Sequence, residues 1–123
     1  MKLIAEAFYD LIRTEWRMWR SGLTGVHDLL QKTSAGQAGS NSVTPEQACE
    51  AVDMACVLYF KNVLCLQRSA ATTLVLRRHR FPAQLVIGAW ILPFKSHAWV
   101  ELAGKVVNDK SYIPELYREL DRC

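Results

Sequence analysis

The run AQLVIGAWILPFKSHAWVELAGKVVND, from Ala83 to Asp109, constrains the fold of this chain more than any other stretch. It is rich in β-branched and aromatic residues, and Ala103-Gly104 marks a turn between two groups of strand formers. Residues 83–94 read as a buried apolar strand, with Gly88 a bulge or a point of close approach. The next residues, to Asp109, read as a β-hairpin with His97 near one end and Asp109 near the other. Such a sheet must bury a face, and helical patterns on both sides of it in the sequence can supply the cover.

Upstream, Leu3, Ala7, Phe8, Leu11, Ile12, Trp16 and Trp19 recur at helical spacing and predict a helix whose broad apolar face packs on the body. Gly22 and Gly25 interrupt it, VHDLLQK adds a short second helix, and His27 is expected at the surface. The small, polar stretch TSAGQAGSNS reads as a linker. Thr44, Pro45 and Gln47 then form a capping-box start for a helix presenting Ala48, Val52, Ala55, Cys56 and Tyr59 inward. From Cys65 a further helix runs to Arg77, Arg78, His79 and Arg80, a solvated cationic terminus suited to the helix dipole, and Pro82 stops it. PELYRELDRC predicts a C-terminal amphipathic helix that packs Leu116, Tyr117 and Leu120 on the body. This order gives an α+β fold in one domain over 1–123, with a helical arm over 1–32, a linker over 33–43 and a core over 44–123.

Half of the 123 residues are hydrophobic and 22% are charged, with a formal charge of +3, an ordinary globular balance. Nothing resembles a nucleic-acid-binding tail, and no apolar run approaches the roughly 18–20 residues that a membrane span needs. The N-terminus brings in acidic residues early and shows no small-residue cleavage site, which favours the cytoplasm. Of the four cysteines, Cys49 and Cys56 share a helix face but lie about 10 Å apart by helical rise, too far to bridge. There is no C-x-x-C and no His/Cys cluster, so no metal and no cofactor is expected.

A three-residue loop at Leu102-Ala103-Gly104 would pair Glu101 with Lys105, Trp99 with Val107, and His97 with Asp109. A two-residue loop would instead send Asp109 to the opposite face from His97. A carboxylate held against one ring nitrogen fixes the tautomer and stabilises the imidazolium, which makes His97 a competent general base. Cys65 is the best candidate for a matching nucleophile, because free N–H groups and the positive end of the dipole at a helix start favour a thiolate. Cys, His, Asp in that order is the arrangement of papain-like and transglutaminase-like enzymes. The alternative is a buried cysteine beside a structural His–Asp pair.

The stretch from Cys65 to Asp109, with CLQRS, LRR, PAQLVIG, PFKSHAWVE and VVND in order, closely resembles the transglutaminase-like leader peptidases of lasso peptide biosynthesis. The resemblance implies a cysteine-protease core in which a helix bearing the Cys packs on a small antiparallel sheet bearing His and Asp, with extra N-terminal helices. It carries the roles over as Cys65 nucleophile, His97 base and then acid, and Asp109 orienter. It implies a cysteine endopeptidase that cuts the leader from a precursor peptide, in its separate form, working with a leader-recognition protein and upstream of an ATP-dependent cyclase. Tyr59 and Asn62 are oxyanion candidates, Trp90 and Trp99 could wall the substrate groove, and Arg68 is expected to anchor structure. Arg80 stands where the family commonly has Gly, which suggests a less strained turn. Two rival readings share these residues: an acyltransferase of transglutaminase type on the same triad, and a non-catalytic peptide-binding module.

Overall fold

The computed structural model describes residues 2–33, 43–59, 63–91 and 94–123. Among these residues the order is α1 (Lys2–Lys32), α2 (Pro45–Leu58), α3 (Cys65–Arg78), β1 (Ala83–Ile91), β2 (Phe94–Leu102), β3 (Lys105–Val106), α4 (Ile113–Leu116) and β4 (Arg118–Arg122). The four strands form one antiparallel sheet in the order β3-β2-β1-β4. The architecture is α+β, with three helices stacked against one face of the sheet.

α1 bends at Gly22, whose φ of 63° and ψ of −150° break the helical path. α2 begins with the expected capping box: Thr44 Oγ1 accepts from the Gln47 N–H at 3.2 Å, and the Thr44 N–H donates to Gln47 Oε1 at 3.0 Å. Small residues let the helices approach closely. Ala7 and Leu11 of α1, Ala48, Val52 and Ala55 of α2, and Ala71 and Val75 of α3 form one cluster that reaches Val100 of β2. The second half of α1, through Val26, Leu29 and Leu30, joins Leu74, Leu85 and Ala98 in another. The other face of the sheet carries a smaller group, Val86, Trp99 and Ile113.

The buried line of α1 keeps Ala7 and Leu11 of the expected face, with Leu3 and Phe8 packed beside them, but leaves out Ile12 and the two tryptophans. It runs through Ala7, Asp10, Leu11 and Thr14, whereas Ile12, Trp16 and Trp19 are exposed, Trp19 by 83%. The cause is Asp10, fully buried and joined to Arg78 of α3 at 2.6 Å and to Arg13 at 3.1 Å, which turns this face of α1 toward α3. The basic end of α3 is therefore not merely solvated. Arg77 donates to the carbonyls of Leu30, Thr33 and Ala83, and His79 meets Glu6 at 2.7 Å. His27 likewise has a partner, Asp121 of β4, at 3.1 Å.

The C-terminal segment is the larger correction. Only one turn of helix forms, and residues 118–122 then extend as β4 along the free edge of β1. An isolated helix of this length is marginal, while the edge of β1 offers unpaired backbone groups. Leu85 and Cys123 exchange both backbone hydrogen bonds, at 2.7 and 2.9 Å, and Arg122 pairs with Glu101 and Glu119. Leu116 and Leu120 are consequently exposed rather than packed.

The turn after α3 is strained, contrary to expectation. The N–H groups of Phe81 and Arg80 bond back to Leu76 and Arg77, the Schellman pattern, with Arg80 at φ 70° in the position that suits glycine. Arg80→Gly should stabilise the fold by about 0.5–1 kcal/mol, net of the freer unfolded chain. Thermal denaturation checks this, and an unchanged or lower midpoint would contradict it.

Candidate active site

Cys65 is the first residue of α3, following Leu64, whose extended backbone caps the helix without a side-chain bond. The first intrahelical bond runs from Arg68 N–H to Leu64 O, so the N–H groups of Cys65 and Leu66 have no acceptor within the helix. One turn on, Ser69 is fully buried, and its hydroxyl donates to the Ala98 carbonyl of β2 at 3.0 Å. The same hydroxyl accepts from Asn108 Nδ2 at 3.0 Å, and Asn108 Oδ1 accepts the Val100 N–H at 2.8 Å. Ser69 and Asn108 thus fasten the Cys65 helix, the His97 strand and the Asp109 segment together. Both residues lie in the motif blocks, but composition and spacing gave no sign of this hydrogen-bonded role.

The β2–β3 connection is a two-residue turn, Ala103 (φ 53°) and Gly104 (φ 79°), pairing Leu102 with Lys105 and Glu101 with Val106. The expected three-residue register is wrong by one, and Glu101 takes Arg122 and the Trp99 indole as partners instead of Lys105. The His97–Asp109 pair nevertheless forms, Nε2 to Oδ2 at 2.6 Å. Regular pairing ends at Val106, Asn108 supplies a side-chain acceptor where a backbone carbonyl would stand, and the bend over 107–109 returns the carboxylate to His97. A strict ladder would have separated them.

Burial works to raise the Asp109 carboxyl. It is outweighed by the His97 hydrogen bond, the Lys110 N–H, and the charges of His97 and Arg68, which hold the carboxyl below its usual range. The His97 ring stacks on Tyr117, with centroids 5.3 Å apart, and on Trp99 at 6.2 Å. With Nε2 engaged, Nδ1 is the nitrogen left for a reacting group, and it makes no hydrogen bond among the described residues. Cys65 and His97 border one cavity of about 220 Å³, with Leu66, Ile87, Ala98 and Leu120 as apolar walls and Ser96 at its side. No hydrogen bond joins Cys65 to His97 in this state. Leu120 reaches the cavity from a β-bulge, being the extra residue where the β1–β4 register shifts at Ile87/Gly88. Larger hollows of about 320 and 390 Å³ lie elsewhere and bring no thiol and imidazole together.

The other cysteines are quiet. Burial pushes the Cys49 thiol up to about 11 and raises those of Cys56 and Cys123. Of the remaining candidates, Tyr59 ends α2 with its ring 5.5 Å from Phe8, inside the helical cluster. Asn62 lies outside the described residues. Trp99 is 1% exposed on the far face of the sheet and does not line the cavity. Trp90 is half-exposed, edge-on to Tyr117 and beneath Lys95, also away from the cavity. Arg68 has a buried Nε without a partner among the described residues. There too, no group of three His, Cys, Asp or Glu side chains could hold a metal ion, and no helix is long and apolar enough to cross a membrane.

Two expectations arise from these environments. At neutral pH iodoacetamide should label Cys65 ahead of Cys49, Cys56 and Cys123, read by peptide mapping; equal labelling would place Cys65 with the inert thiols. Because the folded Asp109 carboxyl lies below its unfolded value, its stabilising contribution is full above about pH 4 and is lost as the pH falls through the folded value. Asp109→Asn should therefore destabilise more at about pH 6 than at about pH 3 in urea unfolding, and a pH-independent difference would contradict the assignment.

Residues 10–121 match the family described as the transglutaminase-like superfamily. The chain is also similar to the microcin J25-processing protein McjB of Escherichia coli, 47% identical over 56 residues, which covers 43% of this chain and 27% of that protein. No solved structure matched the chain.

Proposed function

The chain belongs to the transglutaminase-like superfamily, and we propose that it is a cysteine peptidase that removes the leader from a lasso peptide precursor. The observation that carries this reading is the His97–Asp109 pair at the rim of the cavity that Cys65 also borders. The name of McjB, a microcin J25-processing protein, supports a peptide as the substrate. Because the chain spans only part of that relative, its partners are inferred too: the precursor peptide, a separate leader-recognition protein, and a cyclase acting on the product.

In this mechanism the scissile carbonyl enters the cavity beside the start of α3. Cys65 Sγ attacks the carbonyl carbon while its proton passes to His97 Nδ1, and Asp109 at Nε2 stabilises the imidazolium. The tetrahedral oxyanion meets the N–H of Cys65, which has no acceptor within the helix, at its positive end. Collapse expels the core peptide's amine, protonated by His97, and leaves the leader as a thioester on Cys65. Water, deprotonated by His97, then attacks the thioester, and the leader departs as a carboxylic acid with the thiol restored. Apolar walls from Leu66, Ile87 and Leu120 line this cavity, and a bound peptide that covers it would displace water and strengthen each of these electrostatic interactions.

Mass spectrometry of the precursor, incubated with the protein and its recognition partner, tests the reading. Wild type should cut one bond and yield a free leader acid. Cys65→Ala and His97→Ala should lose at least about 10³-fold in kcat/KM, and Asp109→Asn about 10²-fold or more. Equal cleavage by Cys65→Ala would remove the cysteine mechanism, and a leader joined to an added amine would move the assignment to acyl transfer.

A further inference from the structure

Tyr117 belongs to no motif block and, as part of the expected C-terminal helix, had no assigned role beyond packing. In the structure it stands at the junction of α4 and β4, with an extended backbone at φ −120° and ψ 138°, and its ring faces three others. His97 is the nearest at 5.3 Å, inclined by 29°, followed by Trp99 at 6.2 Å and Trp90 at 6.3 Å. The room for this contact comes from Gly88. In the β1–β2 register Gly88 is the partner of His97, so the position beside the imidazole has no side chain of its own. A Cβ at residue 88 would lie 2.9 Å from the Tyr117 Cβ and 2.7 Å from the Trp99 ring, which forces both to shift.

We infer that Tyr117 is a positioning residue for His97, setting the plane of the imidazole while Asp109 sets its tautomer. The inference rests on the peptidase reading. One hydrogen bond, from Nε2 to Asp109, fixes a single ring atom and leaves the plane free to rock about it. A stacked ring removes that freedom and aims Nδ1 in one direction, which proton transfer to and from Cys65 requires. Trp99 is a poorer guide, being farther from the imidazole and held by its own bond to Glu101. The C-terminal segment is therefore part of the catalytic arrangement, because pairing of β4 with β1 is what brings Tyr117 down onto Gly88.

The test reads the Cys65–His97 pair without peptide, as the alkylation rate of Cys65, and with peptide, as kcat and KM for precursor and recognition partner. Tyr117→Leu keeps an apolar filler but loses the plane, and should slow alkylation and lower kcat by about tenfold with KM unchanged. Tyr117→Phe keeps the plane and should remain within about twofold of wild type in both. Tyr117→Met carries the same expectation as the leucine variant and replaces it if that variant does not fold. A leucine or methionine variant as fast as wild type, or a phenylalanine variant as slow as leucine, would overturn the positioning role. Asp109→Ala separates the levels. If it slows alkylation while Tyr117→Leu does not, only the role of Tyr117 falls; if it also has no effect, the triad reading falls with it.

Discussion

The buried hydroxyl of Ser69 sits where the three parts of the site meet, and its two hydrogen bonds decide their relative placement. It donates to Ala98, the residue after His97, and accepts from Asn108, the residue before Asp109. Cys65 is one helical turn away on the same rod. A hydroxyl with no exposure cannot exchange these partners for water, so losing either would leave an unsatisfied group in the core. The tie makes the spacing between the helix start and the hairpin a consequence of buried polar geometry. General hydrophobic packing, which tolerates small slides, could not set it as tightly.

Around that tie the sheet divides the labour between its faces. The helical face holds alanine-rich packing and the apolar cavity beside Cys65. The other face holds the aromatic group that includes Trp99, Tyr117 and the stacked imidazole. His97 belongs to the aromatic face yet borders the cavity, the boundary position that the proposed mechanism asks of a base serving a cysteine on the other layer. The bulge that aims Leu120 and the bare backbone of Gly88 both lie on the β1–β4 seam. That seam consequently borders both the cavity wall and the imidazole.

Local chemistry was legible where a single residue type satisfies a single need. Thr44, Pro45 and Gln47 announced a helix start, Cys65 announced the next one, and Gly88 announced a close approach, and each stands where the pattern put it. The His97–Asp109 contact was legible as a pair, but by an argument that assumed a continuous ladder. The real path uses a tighter turn and an Asn108 side chain in place of a backbone group, a substitution that strand periodicity does not encode. On α1 the aromatic stripe looked like the packing face because periodicity weighs size. The bond from Arg78 to the buried Asp10, a contact between residues 68 apart, lies on a packed face that keeps Ala7 and Leu11 of that stripe and leaves its tryptophans exposed. The C-terminal strand was hidden for a similar reason, since its stability comes from the open edge of β1 rather than from its own sequence.

Whether Cys65 is a nucleophile activated by His97 is decided by a covalent probe. The probe is a leader-derived peptide ending in an electrophilic ketone, applied with the recognition partner to wild type and to His97→Ala, with the adduct located by mass spectrometry. One adduct is expected, on Cys65, formed at least about 10²-fold more slowly in the variant. Modification at Cys49, Cys56 or Cys123, or equal rates with and without the imidazole, would contradict it.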